Sequence, residues 1–509
     1  MLNSYLEDKI QNQVTVLNAL LEFKKLSIKE LLNITKLSEK TAIQILLSLQ
    51  GLFGSELTIN LRPDYVYIED IITINNLQYY HKIYQQSSFL KFVSYFASPE
   101  KDSFSAFALN HYISRATAYR LKAKCESFLN AVGLSLRKNR IVGPEYRIRC
   151  LIALLDYRYG YQLYDFHDGS LDIVLELIVA SNDCLTRASL EKTPDDYLFF
   201  ATLIAIGLKR KNENVNIPKT ALFNSLKQIF IYQQLCDLTT QIIEPAYNTQ
   251  FSKDDLDYFM LSYCISHSAF CKDKWRDYSR DSLYDLISST NQAKGLIKRY
   301  QNLFGKDIVY SRMFRSAIVF TAKNFLFDLQ GLIPNYYFFT PQDDLENPVL
   351  RKIIQTLLLD WMTENHIGSH LNPNSLSLLT LQLQEIIKSN LKPIPVYICQ
   401  NNIADLLSIQ SILQRNFSDK LCQIHILNTH TDIIPESIDK EGAILLCDQQ
   451  YHSYLDSYLH NPQHIVINLS INLKKFHKDL ISDAIKKLQY EKYAEYLRNI
   501  QTKFEAQYH

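Results

Sequence analysis

Residues 107–128 read FALNHYISRATAYRLKAKCESF. Ser114 is a natural helix start, because its hydroxyl can accept a bond from a first-turn N–H that otherwise lacks a partner. From there Ala118, Leu121, Cys125, Phe128 and Val132 recur at helical spacing, a stripe suited to burial. The opposite face carries Ala116, Tyr119, Arg120, Ala123 and Ser127, flanked by Arg115, Lys122 and Lys124, with Glu126 its only acid. A solvated helix face usually mixes both signs of charge. Small residues beside arginines instead allow close approach to something anionic.

The flanks favour nucleic acid. Upstream lies a short segment, residues 104–110, with apolar Phe104, Phe107, Ala108 and Leu109, and a turn over 110–113 leads to the capped helix. Short helix, tight turn and longer basic helix is the order of a helix-turn-helix, whose second helix enters the major groove. Ser114, Arg115, Thr117, Tyr119, Arg120, Lys122 and Lys124 are therefore candidate DNA contacts. Downstream, residues 134–143 read LSLRKNRIVG, in which Leu134, Leu136, Ile141 and Val142 bracket Arg137, Lys138, Asn139 and Arg140. This predicts a hairpin wing whose Arg137, Lys138 and Arg140 meet phosphates. Arg147 and Arg149 follow, so the basic run is read as extending from Arg115 to Arg149.

A second unit of the same design precedes it. Residues 17–23 form its first helix, Ser27 with Glu30 makes a capping-box pattern, and Ser38 caps a third helix. That helix directs Ala42, Ile45, Leu46 and Leu49 inward and Glu39, Lys40, Gln44 and Ser48 outward. Residues 57–68 alternate about the turn Arg62-Pro63-Asp64, another wing. This unit is far less basic. It either reads DNA through Lys40, Thr41 and Gln44 or packs against its neighbour.

At 509 residues the chain exceeds one core and implies three to five domains. Its formal net charge is only +1, so a nucleic-acid site must be local. Twelve glycines and 14 prolines are few for this length and favour a mostly helical protein. The nine cysteines show no CxxC pair and no metal-ligand spacing, which suits reduced thiols and implies neither metal nor cofactor. The N-terminus MLNSYLEDKIQNQ lacks a signal-peptide pattern, and the longest apolar run, 197–208, is too short for a bilayer. A cytoplasmic location without membrane contact is expected. From Gly160 to about Asn390 the chain is a series of helical patterns, divided near residues 274–284. No phosphate-cradling glycine loop or catalytic triad occurs there. After Asn390, PIPVYICQ, CQIHIL, GAILLCD and HIVINL are short apolar runs alternating with helices, and a long charged helix ends the chain. That alternation predicts a small α/β domain with a parallel sheet.

Two N-terminal winged helix-turn-helix units, the ISRATAYR run, the hairpin and the segment IVGPEYRIRCLIALL resemble the Mga/AtxA-type virulence regulators of Gram-positive bacteria. The specific motifs lie within residues 87–155, and the rest of the chain matches in architecture. The resemblance implies winged helix-turn-helix domains at 1–70 and 71–160. It implies PTS regulation domains (PRDs) at 161–280 and 281–392, and an EIIB-like domain at 393–509. It also implies control by histidine phosphorylation from a phosphocarrier of the sugar phosphotransferase system (PTS), and a homodimer held by the second PRD and the EIIB-like domain. Candidate acceptors are His267, His366 and His370, since a neutral imidazole nitrogen can attack a carrier phosphohistidine, while His167 is read as structural. In EIIB phosphocarriers a cysteine ends the first strand. Cys399 holds that place here, but the following QNNIA loop lacks the glycine and hydroxyls that would hold phosphate.

The fold class expected is mainly α and multidomain, with a small C-terminal α/β domain. The function expected is a DNA-binding, non-enzymatic transcriptional regulator. Two other classes share parts of this pattern. A PTS-regulated RNA-binding antiterminator would begin with a small β-rich RNA-binding module. An EIIB-type phosphocarrier would need a working loop after Cys399.

Overall fold

Short polar caps decide where the N-terminal helices begin. Ser27 accepts from the Glu30 N–H at 3.2 Å while the Glu30 carboxylate accepts from the Ser27 N–H at 2.8 Å. Ser38, Ser87, Ser103 and Ser114 each accept from the N–H three residues on. Each such cap contributes about 1 kcal/mol. The computed structural model describes residues 2–70, 76–166, 169–181, 186–192, 197–228, 230–266, 284–285, 287–325, 328–334, 347–367, 371–399, 402–428, 442–449, 451–452, 455, 463–469 and 475–508.

The first winged unit comprises α1 (Asp8–Phe23), β1 (Lys25–Ser27), α2 (Ile28–Thr35), α3 (Glu39–Phe53), β2 (Leu57–Leu61) and β3 (Tyr65–Asp70). The sequence pattern started α1 nine residues late and missed β1, which pairs antiparallel with β3 on the side away from β2. Ala42, Ile45, Leu46 and Leu49 are buried, as their spacing predicts. Ser48 is half-buried rather than outward, and its hydroxyl accepts from the Gln13 amide at 3.1 Å.

The second winged unit follows as α4 (Leu77–Tyr84), α5 (Ser88–Ala97), α6 (Phe104–Asn110), α7 (Arg115–Ala131), β4 (Ser135–Arg137), β5 (Arg140–Val142) and α8 (Glu145–Tyr159). Behind α7, Phe128 packs edge-on against Tyr5 and Phe89. Phe92, Tyr95 and Phe96 of α5 hold Phe104 and Phe107 of α6, with Tyr95 stacked 4.3 Å from Phe107. Such ring pairs add about 0.5–1.5 kcal/mol each beyond their buried area.

Helices then dominate. They are α9 (Ser170–Ala180), α10 (Arg187–Lys192), α11 (Leu198–Lys209), α12 (Ala221–Leu226), α13 (Phe230–Leu238), α14 (Glu244–Tyr247), α15 (Lys253–Ile265), α16 (Asn291–Phe304), α17 (Lys306–Tyr310), α18 (Arg312–Asn324), α19 (Pro348–Glu364) and α20 (Pro373–Asn390). Every residue of α11 from Phe199 to Leu208 is buried, so this apolar run is a core helix. None of the helices among the described residues is long and apolar enough to cross a membrane.

The chain divides into two compact units. The first holds residues 1–298, 315–346 and 354–379, and its core extends from Leu2 through both winged units into the helices that follow. The second holds 299–314, 347–353 and 380–509. It contains β6 (Ile394–Cys399), α21 (Ile403–Asn416), β7 (Cys422–Leu427), β8 (Ile444–Cys447), β9 (Ile465–Asn468) and α22 (Lys475–Tyr508). The four strands are parallel in the order β7-β6-β8-β9, with β6 and β8 buried on both faces. All four were marked by their apolar runs, as expected for strands covered on both sides.

Candidate nucleic-acid interface

Helix α6, the turn and α7 form one bonded corner. The Tyr112 N–H donates to the Leu109 carbonyl and the Ile113 N–H to the Ala108 carbonyl, both at 2.9 Å. The Ser114 hydroxyl accepts from the Thr117 N–H at 3.3 Å and donates to the Thr117 hydroxyl at 3.0 Å, so both side chains are engaged in the cap. Ala118, Cys125, Phe128, Leu129 and Val132 are buried, and Leu121 is half-buried. Leu109, one of the apolar residues of α6, is 75% exposed. Arg115, Ala116, Tyr119, Arg120, Ala123, Lys124 and Ser127 face outward. Tyr119 leans on Phe104 with ring centroids 5.5 Å apart, and the Arg115 guanidinium lies 5.9 Å above the Tyr119 ring.

The wing is a two-residue hairpin. Lys138 (φ 48°) and Asn139 (φ 61°) both adopt the left-handed conformation that a tight, correctly twisted hairpin turn requires. Its tip is tied down from both sides. Lys122 donates to the Asn139 side-chain oxygen at 2.9 Å and Lys101 to the Asn139 carbonyl at 3.0 Å. Lys122 thus positions the wing instead of standing free on the helix face. Lys101 escapes a reading of the sequence because nothing in SPEKDSFS marks it. Burial, then the nearby Arg140 guanidinium, hold the Lys101 ammonium below its usual range. Arg137, Lys138 and Arg140 are exposed. Among the described residues no carboxylate pairs with Arg115, Arg120, Lys124, Arg137, Lys138 or Arg140.

The basic surface ends at the wing, which corrects the reading of a run through Arg149. Arg147 donates to the Val132 carbonyl at 2.8 Å and to the Asp328 carbonyl at 3.2 Å. Arg149 is buried. It donates to Glu145 at 2.9 Å and to the carbonyls of Arg210 and Glu213, with its guanidinium 4.7 Å above the Tyr258 ring. Arg210 grips both oxygens of Glu145 at 2.7 Å and reaches the Tyr164 hydroxyl at 2.9 Å. A buried charge needs a partner of this quality. The GPEYRIR segment therefore anchors α8 to the helices behind it.

In the first winged unit Lys40 and Gln44 are exposed on α3, whereas Thr41 is half-buried and bonded to Ser38 at 2.8 Å. Lys25 of the same unit lies over the Tyr65 ring.

A family model for the Mga helix-turn-helix domain matches residues 73–155. A second, for the M protein trans-acting positive regulator (MGA) PRD domain, matches residues 177–375. The chain belongs to the Mga-type transcriptional regulators. The Mga helix-turn-helix match contains the bonded corner, α7 and the wing, and the two matches together take in more than half of the chain. No curated protein matches the chain.

Within the Mga PRD match, His366 is exposed in the turn after α19, with φ 54° and its N–H donating to the Thr363 carbonyl. His267 and His370, like His167, lie outside the described residues. Cys399 ends β6, wholly buried and in register with Cys447 of β8. Burial, and then Cys447, push its thiol up to about 12. A thiolate is the form that attacks phosphorus, so this group is a poor nucleophile near neutral pH. Asn402 caps α21, its side-chain oxygen accepting from the Ala404 N–H at 3.0 Å.

Proposed function

We propose that this Mga-type regulator binds double-stranded DNA by placing the N-terminal half of α7 in the major groove and the β4–β5 wing on the phosphate backbone. The observation that carries this reading is the outer face of α7 and the wing. Six cations there have no carboxylate partner among the described residues, and two alanines leave room for close approach. Arg115 and Arg120 are the base readers, Tyr119 packs beside them, Lys124 and the wing meet phosphates, and Lys122 holds the wing in place. Lys40, Thr41 and Gln44 offer a weaker second contact surface.

The regulator acts in the cytoplasm as a homodimer, with the EIIB-like domain serving assembly or sensing, and controls virulence-type genes as its AtxA-like resemblance implies. A PTS phosphocarrier modifies it at His267, His366 or His370. The added phosphate carries close to two negative charges and works through a helical interface rather than at the DNA face. The buried Cys399 thiol weighs against an EIIB-type phosphocarrier activity.

The test measures Arg120→Ala on a specific and a random duplex. Loss of an arginine paired with guanine costs about 1–3 kcal/mol and relaxes specificity. Equal small losses on both duplexes would make Arg120 a phosphate contact, and no loss would remove α7 from the groove. Incubation with the general PTS proteins and labelled phosphoenolpyruvate tests the histidines. An absence of acid-labile label would leave the PRD as a scaffold.

A further inference from the structure

The turn between α6 and α7 contains a residue whose side chain packs against none of the described residues. Tyr112 is 97% exposed, and its backbone is left-handed with φ 54°. Glycine suits this conformation because it lacks the Cβ that crowds the carbonyl oxygen, and asparagine or aspartate tolerate it through local hydrogen bonds. The other non-glycine residues with positive φ among those described are lysines, asparagines, an aspartate and a histidine. Tyrosine is the bulkiest of them. A strained residue that gains no packing points to a role outside the fold.

Its position suggests the role. Tyr112 lies two residues before the Ser114 cap, at the end of α7 that leads into the groove, and Arg115 follows on the outer face. The 2.9 Å bond from its own N–H to Leu109, and that from Ile113 to Ala108, hold the turn backbone that carries the ring. An exposed phenol beside a basic helix start suits the sugar-phosphate backbone, where a tyrosine hydroxyl donates to a phosphate oxygen.

We propose that Tyr112 is a DNA-backbone contact beside the N-terminus of α7. This inference rests on the assignment of α7 as the groove helix. The contact is neutral, so it contributes affinity without releasing a counterion.

The full-length protein is compared with Tyr112→Gly, Tyr112→Phe and Arg120→Ala on specific and random duplexes over a range of salt. Tyr112→Gly relieves the backbone strain and is expected to melt at or above the wild-type temperature, which separates binding from folding. Its affinity is expected to fall about five- to ten-fold on both duplexes with the salt slope unchanged, as befits a backbone contact without charge. Tyr112→Phe isolates the hydroxyl and is expected to lose most of the same affinity. Wild-type binding by Tyr112→Gly, with Arg120→Ala impaired, overturns the inference and leaves the groove helix standing. The same result with a defect in transcription by added polymerase also overturns it, assigning the ring to a protein partner. If Arg120→Ala is neutral as well, the assignment of α7 is what fails.

Discussion

Glu145 holds two guanidinium groups at once. Arg149 and Arg210 both bind it within 2.9 Å, and the Arg149 side chain is 1% exposed. Glu145→Gln removes the charge that compensates both, and breaking a buried pair from one side costs roughly 3–5 kcal/mol. The variant is expected to melt well below the wild type, and an unchanged melting curve would show that the cluster is not needed for anchoring α8. Asp156, on the same helix, gives a pH signature. Burial raises its carboxyl from 3.8 to about 7. Between those values the unfolded chain has released this proton while the folded chain retains it, so stability falls as pH rises through that window. Asp156→Asn is expected to flatten the decline and to be the more stable form above pH 7. Parallel melting-temperature profiles for the two proteins between pH 4 and 8 would contradict this.

The wing is the element whose behaviour is most distinctive. Its conformation follows from the Lys138-Asn139 turn, its base from Gly143, and its position from Lys101 and Lys122. A Cβ at Gly143, where φ is 155°, would stand 2.6 Å from the buried Leu134 side chain. Neutralising Arg137, Lys138 and Arg140 leaves these internal supports in place. Affinity is then expected to drop on all sequences alike, and the plot of log affinity against log salt to flatten by about 0.9 for each phosphate no longer neutralised. A wing variant with the wild-type slope would place the wing off the DNA.

Across the whole molecule, the second winged unit and the helices behind it share one core, so α7 is presented from a broad, packed base. The second compact unit draws on residues 299–314, 347–353 and 380–509, and a single cut near Asn390 would divide it. The proposed homodimer is therefore best tested on the intact chain. Sedimentation at micromolar concentration is expected to give twice the 59.3 kDa chain mass. Monomer at every concentration would end the dimer proposal. A dimer matters to function because the second DNA contact is then made at raised effective concentration.

The sequence by itself determined what depends on near neighbours. Ser27, Ser38 and Ser114 cap helices through groups three residues away, and the burial stripe of α7 needs only helical periodicity. The wing turn and the four apolar strands of the C-terminal domain were legible for the same reason. Tertiary structure decided which charges reach the surface. Arg149 has Glu145 four residues back, but its burial depends on carbonyls 61 and 64 residues away, and Arg147 reaches one 181 residues away, so the local sequence does not show that they leave the basic surface. Lys122 reads as a helix-face cation until the hairpin brings Asn139 to it. Tyr112 reads in sequence as one more turn residue. Its left-handed backbone is visible only in the folded turn, where its N–H and that of Ile113 close onto α6. Charge and periodicity are written residue by residue, but exposure is a property of the surfaces that meet.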